Sequence, residues 1–215
     1  MFRNKKESKL IINDIVEDNT FDPTSKRVST PILIIDDNKF AQIDNLRNND
    51  FKVTQIEDLD DFAKLKGYAI ILCDIDGVGL KLGFKDGADL MVEIKKRYPM
   101  KPLIAYSSRD YKIDKISSKV NQTMDKDLAL PLWIKNIDNL IRDLYNPKAQ
   151  WLEARKLLLE RNVDIYTVAK LESDFIKHMN EKNVKSFNTS ELVNILHDNV
   201  KPIIQSLIAN YIFAG

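Results

Sequence analysis

Carboxylates, a hydroxyl and a lysine recur in this sequence at or just after the ends of short apolar runs. Asp74 ends the run that begins at Tyr68, and Asp76 follows two residues later. An acidic pair, a serine and a lysine hold similar positions elsewhere: Asp36, Asp37, Ser107 and Lys126. A carboxylate at the end of a buried parallel strand lies where open α/β sheets bind and react with ligands.

Residues of these types can perform phosphoryl chemistry if they lie together. A carboxylate can attack phosphorus as a nucleophile and form an acyl phosphate. Clustered carboxylates repel one another, and a hard cation with oxygen ligands, of which Mg²⁺ is the usual choice beside phosphate, removes that penalty. Such a cation also neutralises charge on the transferring group, while a lysine and a hydroxyl can hold the remaining oxygens.

The elements that would position these side chains follow a regular alternation from Pro31 to Asn146. Apolar runs predict five strands, at residues 32–35, 51–56, 69–73, 103–106 and 120–124. Helical spacing follows each strand, around residues 40–46, 62–65, 91–98, 113–116 and 133–144. Five such repeats predict an α/β fold with a doubly wound parallel sheet and right-handed crossovers. The carboxyl ends of the strands then share one edge, where the five side chains that end or follow a strand can meet: Asp36, Asp37, Asp74, Ser107 and Lys126.

In this order and spacing the segments resemble the receiver domain of two-component response regulators. The resemblance covers about residues 31–146 and rests on four stretches: Ile32-Leu-Ile-Ile-Asp36-Asp37, Ile71-Leu-Cys-Asp74, Pro102-Leu-Ile-Ala-Tyr-Ser107 and Met124-Asp-Lys126. It implies a flavodoxin-like five-stranded sheet with strand order 2-1-3-4-5. It also implies that Asp74 accepts a phosphoryl group, that Ser107 and Lys126 bind that group, and that Mg²⁺ is the cofactor. The implied metal ligands are Asp36 through water, Asp37, Asp74 and the backbone carbonyl of Asp76.

The resemblance also carries expectations about function and partners. It implies a signalling protein that receives its phosphoryl group from a histidine kinase or a phosphotransfer protein. Beyond self-phosphorylation and self-dephosphorylation we expect no enzymatic activity. Three departures concern the parts that transmit the signal. The loop from Asp74 to Asp86-Gly87 is several residues longer than usual, Asp127 replaces a proline, and Thr123 replaces the aromatic switch residue.

Two alternatives stay open. A pseudo-receiver would keep the fold as a scaffold or interaction module without phosphorylation. The stretch Asp74-Ile-Asp76-Gly77 also resembles the first motif of haloacid-dehalogenase-type phosphohydrolases, in which the second aspartate is a general acid/base. In those enzymes the nucleophile follows the first strand and the acidic pair comes after the lysine. Here Asp36 and Asp37 precede Asp74, which favours the receiver.

The flanking regions have a different character. Residues 1–30 form a polar arm with a small apolar cluster around Ile12, and residues 21–25 are typical of a turn. Residues 147–215 contain helical patterns only, and predict a helical interaction or dimerisation domain. One helical stripe has a heptad-like spacing, with an expected kink or split at Pro202: Val193, Leu196, Val200, Ile203 and Leu207. It could pack within a bundle, against the first domain or across a dimer. His178 and His197 are expected to be exposed or capping residues rather than phosphotransfer histidines.

The amino-acid composition limits which other functional classes are possible. The 215 residues are 44% hydrophobic and 30% charged with a net charge of +1, which provides a core but no electrostatic footprint for nucleic acid or membrane. The single cysteine, Cys73, lies within an apolar strand, so no disulfide framework is expected. Without an apolar stretch after the charged first residues, we expect no signal peptide and a cytoplasmic protein.

Overall fold

A computed structural model describes residues 11, 12, 15, 20–108, 114, 116–181, 184–187, 191–194 and 196–214. Most of the N-terminal arm, including Leu10 and Val16, lies outside these residues. The predicted helix at residues 113–116 also falls largely outside them, because Ile113 is not among the described residues.

A five-stranded parallel sheet forms the centre of the first domain. Its strands follow the order β2-β1-β3-β4-β5. Their bounds are β1 Pro31–Ile35, β2 Lys52–Ile56, β3 Ile70–Asp74, β4 Leu103–Ser107 and β5 Gln122–Asp125. In the register Ile35 pairs with both Ile56 and Cys73, and Ser107 pairs with Asp125, so the carboxyl ends of the strands are level. The sheet confirms the predicted fold class and strand order.

Helices cover both faces of the sheet. Within the described residues of this domain, the α-helices with defined bounds are α1 Ile43–Asn48, α2 Gly87–Arg97 and α3 Leu130–Leu144. The short helix predicted near Phe62 is a 3₁₀-helix, Phe62–Gly67, started by a hydrogen bond from the Ala63 amide to Asp61. A 3₁₀-helix, Pro23–Ser29, also stands where we predicted a turn, because the Asp22 carboxylate accepts the Thr24 amide. Such short capped segments commonly take this tighter form.

Alternate residues of the strands feed two separate apolar layers. Ile32, Ile34 and Tyr106 pack with residues of α1 and α3, among them Trp133. Leu33 and Cys73 face the other way, against α2 and the Phe62–Gly67 helix. The period-two alternation of strand side chains explains why nearly every strand residue is apolar, since both faces are covered.

The C-terminal region is helical, as the sequence predicts. Its helices are α4 Pro147–Glu160, α5 Ile165–Asn180, α6 Val184–Phe187, α7 Glu191–Asn194 and α8 Lys201–Ala214. The stripe is interrupted between α7 and α8, and Pro202 is the second residue of α8, where its missing amide hydrogen costs nothing. All five stripe residues are buried in the core of this helical region. Of the three predicted arrangements, the structure shows packing within the helical bundle. The stripe is therefore not available as a dimer interface.

Several contacts join the arm and the two domains. Met100, in the turn before β4, belongs to the core of the helical region. Ile12 of the arm enters the same core, and its amide donates to the buried Glu172 carboxylate at 3.0 Å. Arg27 binds Asp138 of α3 through two nitrogens, at 2.8 and 2.5 Å. In the part of the chain that the structure describes, we find no helix with the length and apolarity needed to cross a membrane.

Candidate functional site

Three carboxylates meet at the carboxyl edge of the sheet. Asp36 and Asp37 follow β1, and Asp74 is the last residue of the adjacent strand β3. One oxygen from each lies within 4.8 Å of the others; Asp36 and Asp74 are buried and Asp37 is exposed. The doubly wound topology produces this cluster, because β1 and β3 are neighbours although β2 lies between them in sequence. Three close carboxylate oxygens can supply part of the oxygen ligand set of a hard divalent cation.

Lys126 provides the positive charge of the site. The residue directly follows β5, and its backbone amide donates to the Ser107 carbonyl at 3.1 Å. Its ammonium group donates to Asp74 Oδ2 and lies 3.1 Å from Asp36 Oδ2. The side chain is 24% exposed, so Lys126 reaches the carboxylates from the rim of the site.

Asp76 and Ser107 form a second polar contact at the same edge. The Ser107 hydroxyl donates to Asp76 Oδ2 at 3.3 Å, and the Asp76 amide donates to Asp74 Oδ1 at 3.2 Å. The backbone then turns through Gly77 with φ +74°, and a Cβ there would lie 2.1 Å from Asp37 Oδ2. Only glycine permits both this conformation and this approach. The backbone beside Asp76 thus passes close to the Asp37 carboxylate, as the predicted carbonyl ligand requires.

Burial and hydrogen bonding shift the pKa values of Asp74 and Lys126 in opposite directions. Burial raises the pKa of Asp74 and outweighs the hydrogen bond from Lys126, which lowers it. Burial lowers the pKa of Lys126, but its hydrogen bonds to Asp74 and Asp36 outweigh burial and raise this pKa overall. Three carboxylates at this edge face one ammonium group, and this excess of acidic groups favours binding of a divalent metal ion.

Tyr106 is a buried partner of the site that our sequence reasoning missed. Its hydroxyl donates to Asp36 Oδ2 at 3.0 Å, and burial together with the nearby carboxylates raises the pKa of the phenol well above its usual value. Its ring packs 5.6 Å from Trp133 of α3 and 5.3 Å from Phe40. Tyr106 lies inside an apolar strand, where a tyrosine is commonly only a core residue, so the sequence gives little sign of this contact.

Asp58 is the second residue missed, and it fixes the long loop that follows β3. Its side chain is 9% exposed and accepts three backbone amides, from Leu59 at 2.8 Å, Gly79 at 2.5 Å and Lys81 at 2.9 Å. Asp58 comes two residues after β2. The strand-end criterion that selects the other carboxylates would have selected it too, had we applied it to β2.

Gln55 holds the loop that carries the acidic pair. Its amide nitrogen donates to the carbonyls of Asp36 and Asn38, and its oxygen accepts the Phe40 amide at 3.1 Å. Asn38 also donates its backbone amide to Asp36 at 3.0 Å and its side chain to Asp37 at 2.8 Å. The five predicted side chains and Asp76 therefore lie at one edge, within a hydrogen-bonded framework.

The two histidines lie away from this edge. His178 is not exposed: its side chain is 14% accessible, and Nδ1 lies 2.8 Å from the Asp174 carbonyl oxygen, one turn earlier in α5. Its ring also packs 5.8 Å from Phe187. His197 is exposed, as expected. His178 is half-buried rather than exposed, because α6 covers that side of α5.

Comparisons with known proteins give structural matches only. No protein-family model matches the chain, and no curated protein matches it. Full-length FixJ from B. japonicum is 17% identical with a TM-score of 0.46, covering 86% of this chain and 97% of its own. A response regulator from Burkholderia pseudomallei, with a phosphorylated aspartic acid, a calcium ion and citrate, is 16% identical with a TM-score of 0.41, covering 82% and 97%. A fusion containing a yeast Spc42 trimeric coiled coil is 20% identical with a TM-score of 0.43, covering 74% and 97%.

Proposed function

We propose that this chain is a phosphorylation-dependent signalling protein whose first domain, residues 31–146, accepts a phosphoryl group on Asp74 with Mg²⁺ as cofactor. The observation that supports this most directly is the convergence of Asp36, Asp37 and Asp74 within 4.8 Å, with Lys126 bonded to two of them. The sheet order is that of receiver domains, and each of these residues follows or ends a strand as in that family.

In the proposed reaction Asp74 is the nucleophile. One carboxylate oxygen forms a bond to phosphorus, while the bond from phosphorus to the donor atom breaks and its electron pair leaves with the donor. The bound cation would supply charge neutralisation on the transferring group. Lys126 then exchanges its contact with Asp74 for one with a phosphoryl oxygen, and the Ser107 hydroxyl turns from Asp76 to another.

Asp76 would govern how long the acyl phosphate survives. Its carboxylate lies within hydrogen-bonding distance of Ser107 and two residues from the nucleophile, where it can orient or exclude an attacking water. In Asp76→Ala this control is lost, and we expect the half-life of the phosphorylated protein to change severalfold, measured by decay of the phosphorylated mass. Equal lifetimes of variant and parent would contradict this role.

The partners follow from this chemistry. A histidine kinase or a phosphotransfer protein would supply the phosphoryl group, and output would be a protein–protein contact made by the helical region or a homodimer. Because the apolar stripe is buried inside the chain, such a contact must use another surface. We also place the protein in the cytoplasm, where such donors act, and assign it no catalytic turnover beyond its own phosphorylation cycle.

A pseudo-receiver scaffold is the second candidate, and Thr123 and Asp127 at the usual signal-transmitting positions favour it. Titration with Mg²⁺ and then beryllofluoride, a phosphoryl mimic, separates the two. We expect saturable binding that Asp74→Asn abolishes. Binding that is absent, or independent of Asp74, would favour the scaffold. Continuous phosphate release from phosphomonoesters under the same conditions would instead indicate a phosphohydrolase of the haloacid dehalogenase type.

A further inference from the structure

A cavity of about 280 Å³ lies between the first domain and α8, at the opposite edge of the sheet from the acidic site. The first domain lines it with Lys66, Arg97, Tyr98 and Lys101, all of which come shortly before β3 or β4 in the sequence. Its volume is close to the lower end of the range of small-molecule sites, about 300 Å³. The cavity has no part in the proposed phosphoryl chemistry.

Positive charge dominates the lining. Of the described residues that line it, three are cationic and none is a carboxylate. Lys101 is 3% exposed, and its ammonium group donates to the Tyr68 carbonyl and lies 5.7 Å from the centre of the Tyr98 ring. Desolvation lowers the pKa of Lys101 to about 8, so at neutral pH the structure retains a charged amine at considerable cost. Arg97, at the rim, packs over Phe62 and pairs with Glu93 at 2.8 Å.

The opposite wall is held rigidly by hydrogen bonds from α8. The Ser206 hydroxyl accepts the Met100 amide at 3.1 Å. Asn210, which is 1% exposed, donates to the Met100 carbonyl and to Gln150, each at 2.9 Å. Pro202 and Ala209 add apolar surface facing the Tyr98 side. The wall is therefore preformed, and a ligand would not have to order it.

We propose that this cavity binds a small organic anion, with its carboxylate or phosphate on Lys101 and its apolar body between Tyr98 and α8. A buried cation beside apolar walls recognises a compact molecule that carries one anionic group, because only such a ligand satisfies both surfaces. Since both domains line the cavity, the bound anion also ties the helical region to the first domain and stabilises their contact.

Calorimetric titration of the full chain with benzoate and with phenyl phosphate, in EDTA at neutral pH, tests this. We expect one molecule of each to bind, while uncharged benzamide does not. Lys101→Met, which keeps most of the side-chain stem, should weaken binding at least about tenfold, because a charged hydrogen bond is lost. Lys39→Met, at an exposed lysine beside the acidic site, should bind as the parent does.

Four outcomes would overturn the proposal: no saturable binding of either anion, equal binding of benzamide, undiminished binding by folded Lys101→Met, or loss of binding in Lys39→Met. Circular dichroism establishes whether Lys101→Met folds. If it does not, Ala209→Leu takes its place, because the larger side chain fills the cavity from α8. Benzoate should then fail to bind, and binding like that of the parent would overturn the proposal.

Discussion

At the scale of single residues, one buried carboxylate has a structural role that the reactive ones do not share. Asp58 accepts the amides of Leu59, Gly79 and Lys81, and the last two belong to the loop between β3 and α2. This loop begins at Ile75, directly after the candidate phosphoacceptor Asp74. Asp58 therefore fixes the loop whose unusual length distinguishes this sequence.

Asp58→Ala leaves buried amides without an acceptor. We expect it to lower the free energy of unfolding by about 1–3 kcal/mol and to speed hydrogen exchange of the Gly79 and Lys81 amides. Urea unfolding and exchange measurements check both effects. Asp60→Ala is the matched control, since Asp60 forms an exposed pair with Lys64 and should change little. Similar stability losses in both variants would contradict the role of Asp58.

Lys101 gives a prediction about pH. Its pKa is about 8 in the folded protein, whereas the ordinary lysine value of 10.5 approximates the pKa in the unfolded chain. Between these values the unfolded state binds more protons, so this group makes stability rise as pH rises. From pH 7 to pH 10 the free energy of unfolding of the parent should rise by about 2 kcal/mol more than that of Lys101→Met. Parallel stability curves from urea unfolding at each pH would contradict the lowered pKa.

Among the secondary-structure elements, α3 connects the acidic site with the helical region through a chain of contacts. Asp36 binds the Tyr106 hydroxyl, the Tyr106 ring packs on Trp133, and α3, which carries Trp133, is followed directly by α4. A cation at Asp36 would change the environment of Tyr106 and hence of Trp133.

The two tryptophans allow this route to be measured. We expect Mg²⁺ to change tryptophan fluorescence in the parent and in Trp151→Phe but not in Trp133→Phe, because Trp151 lies in the separate helical core. Stability separates the variants further. Trp151 Nε1 donates to Glu172 at 2.7 Å, whereas Trp133 Nε1 has no hydrogen-bond partner among the described residues. Trp151→Phe should therefore lower the free energy of unfolding by about 1–3 kcal/mol more than Trp133→Phe does. A Mg²⁺ response that persists in Trp133→Phe would exclude the route.

Sequence reasoning succeeded where position along a strand decides the outcome. Asp36, Asp74 and Lys126 meet because every strand end in a parallel sheet shares one edge, a consequence of topology alone. It failed for Tyr106, whose hydroxyl partner depends on side-chain packing within the core. It also left the stripe near Val200 undecided, because an apolar helical face shows that it is buried but does not identify the surface that covers it.

At the scale of the whole molecule, the two domains are joined through a small polar contact beside an apolar one. Met100 inserts into the helical core, and Asn210 binds its carbonyl and Gln150 of α4 together. The contact therefore connects the turn before β4 to two helices. Its hydrogen bonds are buried, so each of them strengthens the coupling that makes the two domains unfold together.

Asn210→Ala should weaken this junction. We expect a loss of about 1–3 kcal/mol and a thermal transition that broadens or divides in two, because the domains have separate cores. Differential scanning calorimetry checks this against Gln205→Ala, an exposed position of α8. A single sharp transition in Asn210→Ala, at the melting temperature of the parent, would show that the junction lies elsewhere.

Intact-mass spectrometry shows whether Asp74 accepts a phosphoryl group. The full chain is incubated with Mg²⁺ and acetyl phosphate, alongside Asp74→Asn and a sample in EDTA. We expect a mass increase of one phosphoryl group in the parent, and none in Asp74→Asn or without Mg²⁺. An unchanged mass in the parent, or an equal increase in Asp74→Asn, would contradict it.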